Sequence, residues 1–130
     1  MKENKLSVII DKPLDKVFEF TTNPQNTHLW IPSIQKEVSD SFPPKIGTQY
    51  KNCDKNSDWD FYKVIEYEPL KIFTLSDLSG NYHVKYTYRQ LNDNKTEMEY
   101  FEWMKDGALK NPFTQDILNN LRSVMEEQVK

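Results

Sequence analysis

The sequence predicts an α+β domain: a curved antiparallel sheet wrapped around one long C-terminal helix, with two short helices after the first strand. Three observations predict it. Residues 33–104 carry period-two alternation interrupted by short polar turns, with no helical periodicity. Residues 113–125 carry an apolar stripe at helical spacing. Two proline-marked helix starts separate the first strand from the sheet region. The amphipathic helix needs a partner surface, and a tyrosine-rich face of the sheet supplies it, so packing one into the other satisfies both.

The first strand is Lys5 to Asp11, where Leu6, Val8 and Ile10 share one side. Pro13 suits the first turn of a helix, because its missing N–H has no helical partner there, and Leu14, Val17 and Phe18 follow as a buried stripe. Asn23-Pro24 repeats the start signal, with Asn as N-cap. This second helix is short, since Pro32 disfavours helical geometry at Ile31. The stretch His28-Leu29-Trp30-Ile31-Pro32-Ser33-Ile34 is therefore the handover from helix to strand, with Trp30 at the junction. Residues 41–47 read as a loop in which Gly47 takes a conformation that other residues avoid.

Strands are expected at 48–54, 58–67, 71–77, 82–91 and 96–104, about six after the helix pair in all. Connections this short join antiparallel neighbours. In strand 58–67 the phase stays open: Trp59, Phe61, Ile65 and Tyr67 are the more apolar set, but Tyr62 and Val64 are the alternative inner set. The last hairpin is more specific. If Leu91 pairs with Lys95 around Asn92-Asp93-Asn94, then Tyr88 faces Met98, Tyr86 faces Tyr100, Val84 faces Glu102, and Arg89 meets Glu97 on the other face. A one-residue slip would set tyrosines against charges. Asn111-Pro112 is a third start signal of the same kind. Phe113, Ile117, Leu121, Val124 and Met125 then line one side of a helix running through the C-terminus, opposite Gln115, Asp116, Asn119, Arg122, Glu126 and Lys130.

With 130 residues the chain has the size of a single domain, 1–130, large enough to bury about two-thirds of its unfolded surface. The 17 aromatic side chains suit a thick core or a lined cavity, and Tyr and Trp bring a polar handle to either. A net charge of −3 with mixed signs and no Lys/Arg block lacks the footprint of a nucleic-acid binder. The lone Cys53 forms no internal disulfide and has no His nearby in sequence to activate it. His28 and His83 stand apart, so no metal site is expected, and no phosphate cradle or catalytic serine motif implies a cofactor. The apolar run from Leu6 to Ile10 is too short for a signal-peptide core, and nothing approaches the roughly 18 apolar residues of a membrane span. The expected location is cytoplasmic.

Four strings, in this order, carry a resemblance: DKPLDKVFEFTTNPQNTHLWIPSI (11–34), PPKIGTQYK (43–51), KVIEYEPLKIF (63–73) and ILNNLRSVMEE (117–127). Together they resemble the Bet v 1-like or START-like (SRPBCC) superfamily, in particular its bacterial polyketide cyclase/dehydrase and lipid-transport group. The resemblance spans nearly the whole chain. It implies a helix-grip fold with a cavity between the sheet's concave face and the long helix, closed at one end by the short helices. It does not imply an activity, since fold alone carries none.

Set into that cavity, the tyrosine face supplies Tyr82, Tyr86, Tyr88, Met98 and Tyr100, and the helix supplies Phe113 and Ile117; Tyr62 joins them if its strand takes that phase. Trp30 is either core or a wall at the lid end. Phenolic hydroxyls on an apolar wall suit a ligand that is mostly hydrophobic with a few polar atoms, lipid-like or aromatic polycyclic by the family analogy. The sharpest candidate for chemistry is Glu102, with a tyrosine hydroxyl as the alternative group to move protons. The hairpin register turns it inward beside Tyr86 and Tyr100, where a carboxylate serves as acid, base or ligand anchor; the bland alternative is that it reaches water where the sheet curls. Three functions are thus expected to compete: binding of a small hydrophobic molecule, cyclase or dehydratase chemistry, and a co-chaperone-like interaction domain with a filled grip.

Overall fold

A computed structural model of the chain describes residues 2–127. Strand β1 (Glu3–Ile10) leads into helix α1 (Leu14–Thr22). A single 3₁₀ turn (Pro24–Asn26) then runs into the one-turn helix α2 (Thr27–Trp30). Strands β2 (Lys36–Ser39), β3 (Gln49–Cys53), β4 (Trp59–Glu68), β5 (Ile72–Asp77), β6 (Tyr82–Asn92) and β7 (Lys95–Met104) follow, and helix α3 (Gln115–Glu127) closes the chain. The strands form one antiparallel sheet in the order β1-β7-β6-β5-β4-β3-β2. Its inner face carries Val8, Ile10, Tyr50, Val64, Phe73, Tyr86, Met98 and Tyr100, all buried. Leu118, Leu121 and Met125 of α3 pack into that face, with Val17 and Phe18 of α1 beside them. This is the α+β helix-grip architecture, with the short helices between β1 and β2.

The start signals act as their chemistry dictates at two of the three sites. Pro13, extended and without a side-chain capping bond, stands immediately before α1, one position ahead of the expected first turn, and the Asn23 side chain accepts a hydrogen bond from Gln25 N–H with Pro24 at the first position. Ile31, ahead of Pro32, is extended and ends α2. Gly47 has φ +95°, open to glycine at no steric cost. The third signal behaves differently: α3 begins at Gln115 and not at Pro112. Phe113 is held out of the helix because its N–H donates to Glu102 and its carbonyl accepts from Asn4. The buried stripe of α3 is Leu118, Leu121 and Met125, with Ile117 and Val124 half-buried on its flanks. The expected run to the C-terminus, with Lys130, lies outside the described residues.

The β6–β7 hairpin has the expected pairs Tyr88–Met98, Tyr86–Tyr100, Val84–Glu102 and Arg89–Glu97. Its tip differs. Asn92, not Leu91, pairs with Lys95, and the register shift between Gln90 and Asn92 leaves Leu91 as a bulge at the turn. In β4 the inner set is Tyr62 and Val64, the latter 0% exposed, while Trp59, Phe61 and Ile65 stand on the outer face at 38%, 46% and 40%. A register shift between Val64 and Glu66 then changes the phase and turns Tyr67 inward against Phe18 and Phe73. Among the described residues no helix is long and apolar enough to cross a membrane.

Candidate functional site

Between the inner face and the helices lies a chamber of ≈90 Å³. The sheet contributes Tyr50, Asn52, Tyr62, Phe73, Tyr82, Tyr86 and Tyr100 to its wall; α2 and the following segment contribute Thr27 and Ile31, and the approach to α3 contributes Phe113. A wider cleft of ≈470 Å³, bounded by Ser33, Asp54, Asp60, Pro112 and Ile117, shares Ile31, Ile34, Asn52, Tyr62, Tyr82 and Phe113 with the chamber, which makes it the mouth. The chamber is smaller than the ~150 Å³ apolar cavity that holds a benzene ring. It admits the tip of a ligand, and the mouth has room for the body.

Aromatic rings make up about half of the wall, and aliphatic and polar side chains the rest. Tyr86 meets Phe73 and Tyr100 edge-on at ring distances of 5.8 and 5.5 Å, and Phe113 stacks on Tyr100 at 4.0 Å. Several hydroxyls are already spoken for: Tyr50 donates to the Thr22 carbonyl, Tyr88 bonds Thr21 Oγ1, and Tyr82 donates to Glu102. Tyr86 is 7% exposed, and among the described residues no hydrogen bond reaches its hydroxyl. Burial pushes the Tyr82, Tyr86 and Tyr100 phenols up from their ordinary value of 10.0, with the nearby carboxylate of Glu102 adding to it, so all three stay neutral donors.

Two carboxylates border this interior, and their surroundings differ. Glu102 on β7 is 1% exposed and does not reach water. Its Oε2 accepts from Asn4 Nδ2 at 2.9 Å and from Phe113 N–H at 2.7 Å, while Oε1 accepts from Tyr82 at 2.6 Å and Tyr100 at 3.5 Å. These donors come from β1, β6, β7 and the approach to α3, so Glu102 ties the mouth's far lip to the sheet. Glu37 on β2 forms part of the chamber wall itself. It accepts from Thr27 Oγ1 at 2.5 Å and Asn52 Nδ2 at 3.1 Å. Burial raises its pKa above the ordinary glutamate value, against the pull of those two hydrogen bonds.

Of the residues singled out in the sequence, the fold brings Tyr62, Tyr82, Tyr86, Tyr100 and Phe113 to the chamber, and Ile117 to the mouth. Tyr88 lies beyond it, edge-on to Phe18 at 4.9 Å, and Met98 is fully enclosed in the core. Trp30, 1% exposed, stands behind the wall, edge-on to Tyr86 and Phe113, and its indole Nε1 has no hydrogen-bond partner among the described residues. Its neighbours divide, Ile31 to the core and Leu29 to the surface. Asn120 of α3 donates to the Trp30 carbonyl and fixes this junction. His83 stacks on Trp103 on the outer face, and Cys53 is buried. The sequence reading passed over Glu37, Asn52, Tyr50 and Phe73. One signal pointed to them: Tyr50 and Asn52 share a face, so an inward Tyr50 buries an amide that requires a partner on β2.

No protein-family model matches the sequence, and no curated protein sequence does. Solved structures do match. The chain is similar to the protein XoxI from Bacillus cereus (TM-score 0.75, 12% identity, 98% of this chain and 97% of that one) and to a START superfamily protein from Mycobacterium smegmatis (TM-score 0.72, 10% identity, 98% and 99%). It is also similar to a Polyketide_cyc-like protein from Corynebacterium glutamicum (TM-score 0.59, 22% identity, 81% and 67%). At such identities the likeness is one of fold, and the fold of this chain is the START-like, Bet v 1-like (SRPBCC) helix grip.

Proposed function

We propose that this chain binds a small, largely hydrophobic molecule in the cleft between the sheet and α3, with its tip in the tyrosine chamber. The observation that carries this is the continuity of a ≈90 Å³ aromatic chamber with a ≈470 Å³ mouth through shared walls. Ligand sites are concave, mostly apolar and furnished with a few convergent polar groups, and here those groups are the Tyr86 hydroxyl, Asn52 and Glu37. The START and polyketide-cyclase-like structural neighbours support the same reading at the level of fold. Trp30 acts through the wall it supports, whereas Tyr62, Tyr82, Tyr86, Tyr100, Phe113 and Ile117 touch the ligand.

The experiment is extraction and mass spectrometry of the purified protein together with displacement of a fluorescent apolar probe. Saturable probe binding that bulky substitutions at the mouth abolish (Ser33→Trp, for example) is the expected result. A folded protein that neither carries a small molecule nor binds the probe contradicts it and points to the interaction-domain alternative with a filled grip.

A further inference from the structure

The chamber and mouth are charged in one sense only. Glu37 borders the chamber, Asp54 and Asp60 border the mouth, and among the described residues neither is lined by a lysine, arginine or histidine. Lys110 belongs to the adjoining outer cleft, where Asp60 and Asp77 also stand. Glu37 is thus a carboxylate at an aromatic wall whose two partners, Thr27 and Asn52, are neutral. Two accepted hydrogen bonds, one to each oxygen, leave part of its acceptor capacity open. The groups that face it from the packed elements are Thr27 of α2, Tyr50 and Asn52 of β3, Tyr62 of β4 and Tyr86 of β6, none of them cationic. Tyr86 adds an unpartnered hydroxyl to the same space.

Resting on the reading of the cleft as an apolar-ligand site, we infer that its ligand is a hydrophobic amine whose protonated nitrogen enters the chamber. There Glu37 accepts its hydrogen bond, the Tyr86 hydroxyl offers a second acceptor, and the surrounding rings face the cation. Glu37 is half-buried, so without a counter-charge it carries part of a carboxylate's desolvation cost, which an entering ammonium offsets through a charge-assisted hydrogen bond. Tyrosine faces attract the same cation through their quadrupoles. An anionic ligand meets the opposite situation, since Asp54, Asp60 and Glu37 repel it along its whole path.

The test is an isosteric series on the unaltered protein near neutral pH: phenethylamine, phenethyl alcohol and phenylacetate, titrated calorimetrically beside the fluorescent apolar probe. The amine is expected to bind at least about tenfold tighter than the alcohol, and phenylacetate most weakly. Glu37→Gln is expected to bring the amine down to the level of the alcohol. Equal binding of the three, a preference for phenylacetate, or an amine preference that survives in folded Glu37→Gln overturns the inference. So does probe binding with no binding of any of the three, and in each of these cases the apolar-ligand reading stands. Failure of the probe itself to bind removes both. The series is read on the wild-type chain, so it decides the matter even if the variant does not fold.

Discussion

Near opposite edges of the sheet stand two inward carboxylates, Glu102 on β7, buried, and Glu37 on β2, half-buried; among the described residues neither has a cationic partner, yet the two regions are built for different ends. Around Glu102 four donors from β1, β6, β7 and the approach to α3 converge, one of them a backbone N–H. Around Glu37 there are two donors and an aromatic space. The sequence marks Glu102 as the candidate for chemistry because the hairpin register turns it inward, but turning inward is not the same as being available. A carboxylate with saturated lone pairs holds elements together, and one with spare capacity beside a cavity meets a ligand.

The largest expected effect follows from breaking the Glu102 knot. Glu102→Ala leaves the Phe113 N–H and the Tyr82 hydroxyl without their acceptor, takes one of the two acceptors of the Asn4 amide, and should cost about 3–5 kcal/mol in a urea titration, by analogy with loss of one partner from a buried charged network. Glu37→Gln keeps an acceptor for Thr27 and should stay within about 1 kcal/mol of wild type. If the two substitutions cost the same, the contrast between the regions fails.

A pH series sharpens it further. Glu37 has its folded pKa raised by burial above the ordinary value of 4.5. Below that ordinary value it is protonated folded and unfolded alike. Above it the unfolded chain releases a proton that the folded chain keeps, so stability falls as pH rises, until the folded value is passed and the loss is complete. Unfolding midpoints measured across this window should fall more for wild type than for Glu37→Gln. A parallel pair of curves would contradict the assignment.

Smaller effects separate the tyrosines. Tyr82→Phe removes a donor to a carboxylate and should cost about 2 kcal/mol, Tyr88→Phe removes a neutral bond to Thr21 and about 1 kcal/mol, and Tyr86→Phe, losing an unpartnered hydroxyl, about nothing. Thermal denaturation of the three variants ranks them. An effect of opposite sign is expected at Leu70, which follows Pro69 in the β4–β5 turn with φ +68°, a left-handed conformation suited to glycine. Leu70→Gly should raise stability by up to about 1 kcal/mol, the relieved strain being partly offset by chain entropy.

How far the sequence was legible depended on whether one face of each element was chemically distinct. The β6–β7 register could be read because tyrosines occupied one face and charges the other; its bulge at Leu91 could not, since Asn92-Asp93-Asn94 permits more than one turn. In β4 both faces are apolar, so Phe61 and Tyr62 offered no contrast, and the phase change at Val64/Glu66 has no glycine to announce it. The start of α3 was misplaced because a local signal, Asn111-Pro112, is overruled by a tertiary bond from Phe113 to Glu102. Glu37 went unseen for a related reason. In the four-residue strand Lys36-Glu37-Val38-Ser39 the charged residue points in and the valine out, the reverse of ordinary patterning.

The central claim is that the cleft beneath α3 is where the ligand sits, and backbone amide chemical-shift mapping during titration with phenethylamine tests it most directly. The account predicts that the largest shifts fall on Ile31, Asn52, Tyr62, Tyr82 and Phe113. Shifts concentrated on the outer face, around Phe61, Phe101 and Trp103, would contradict it.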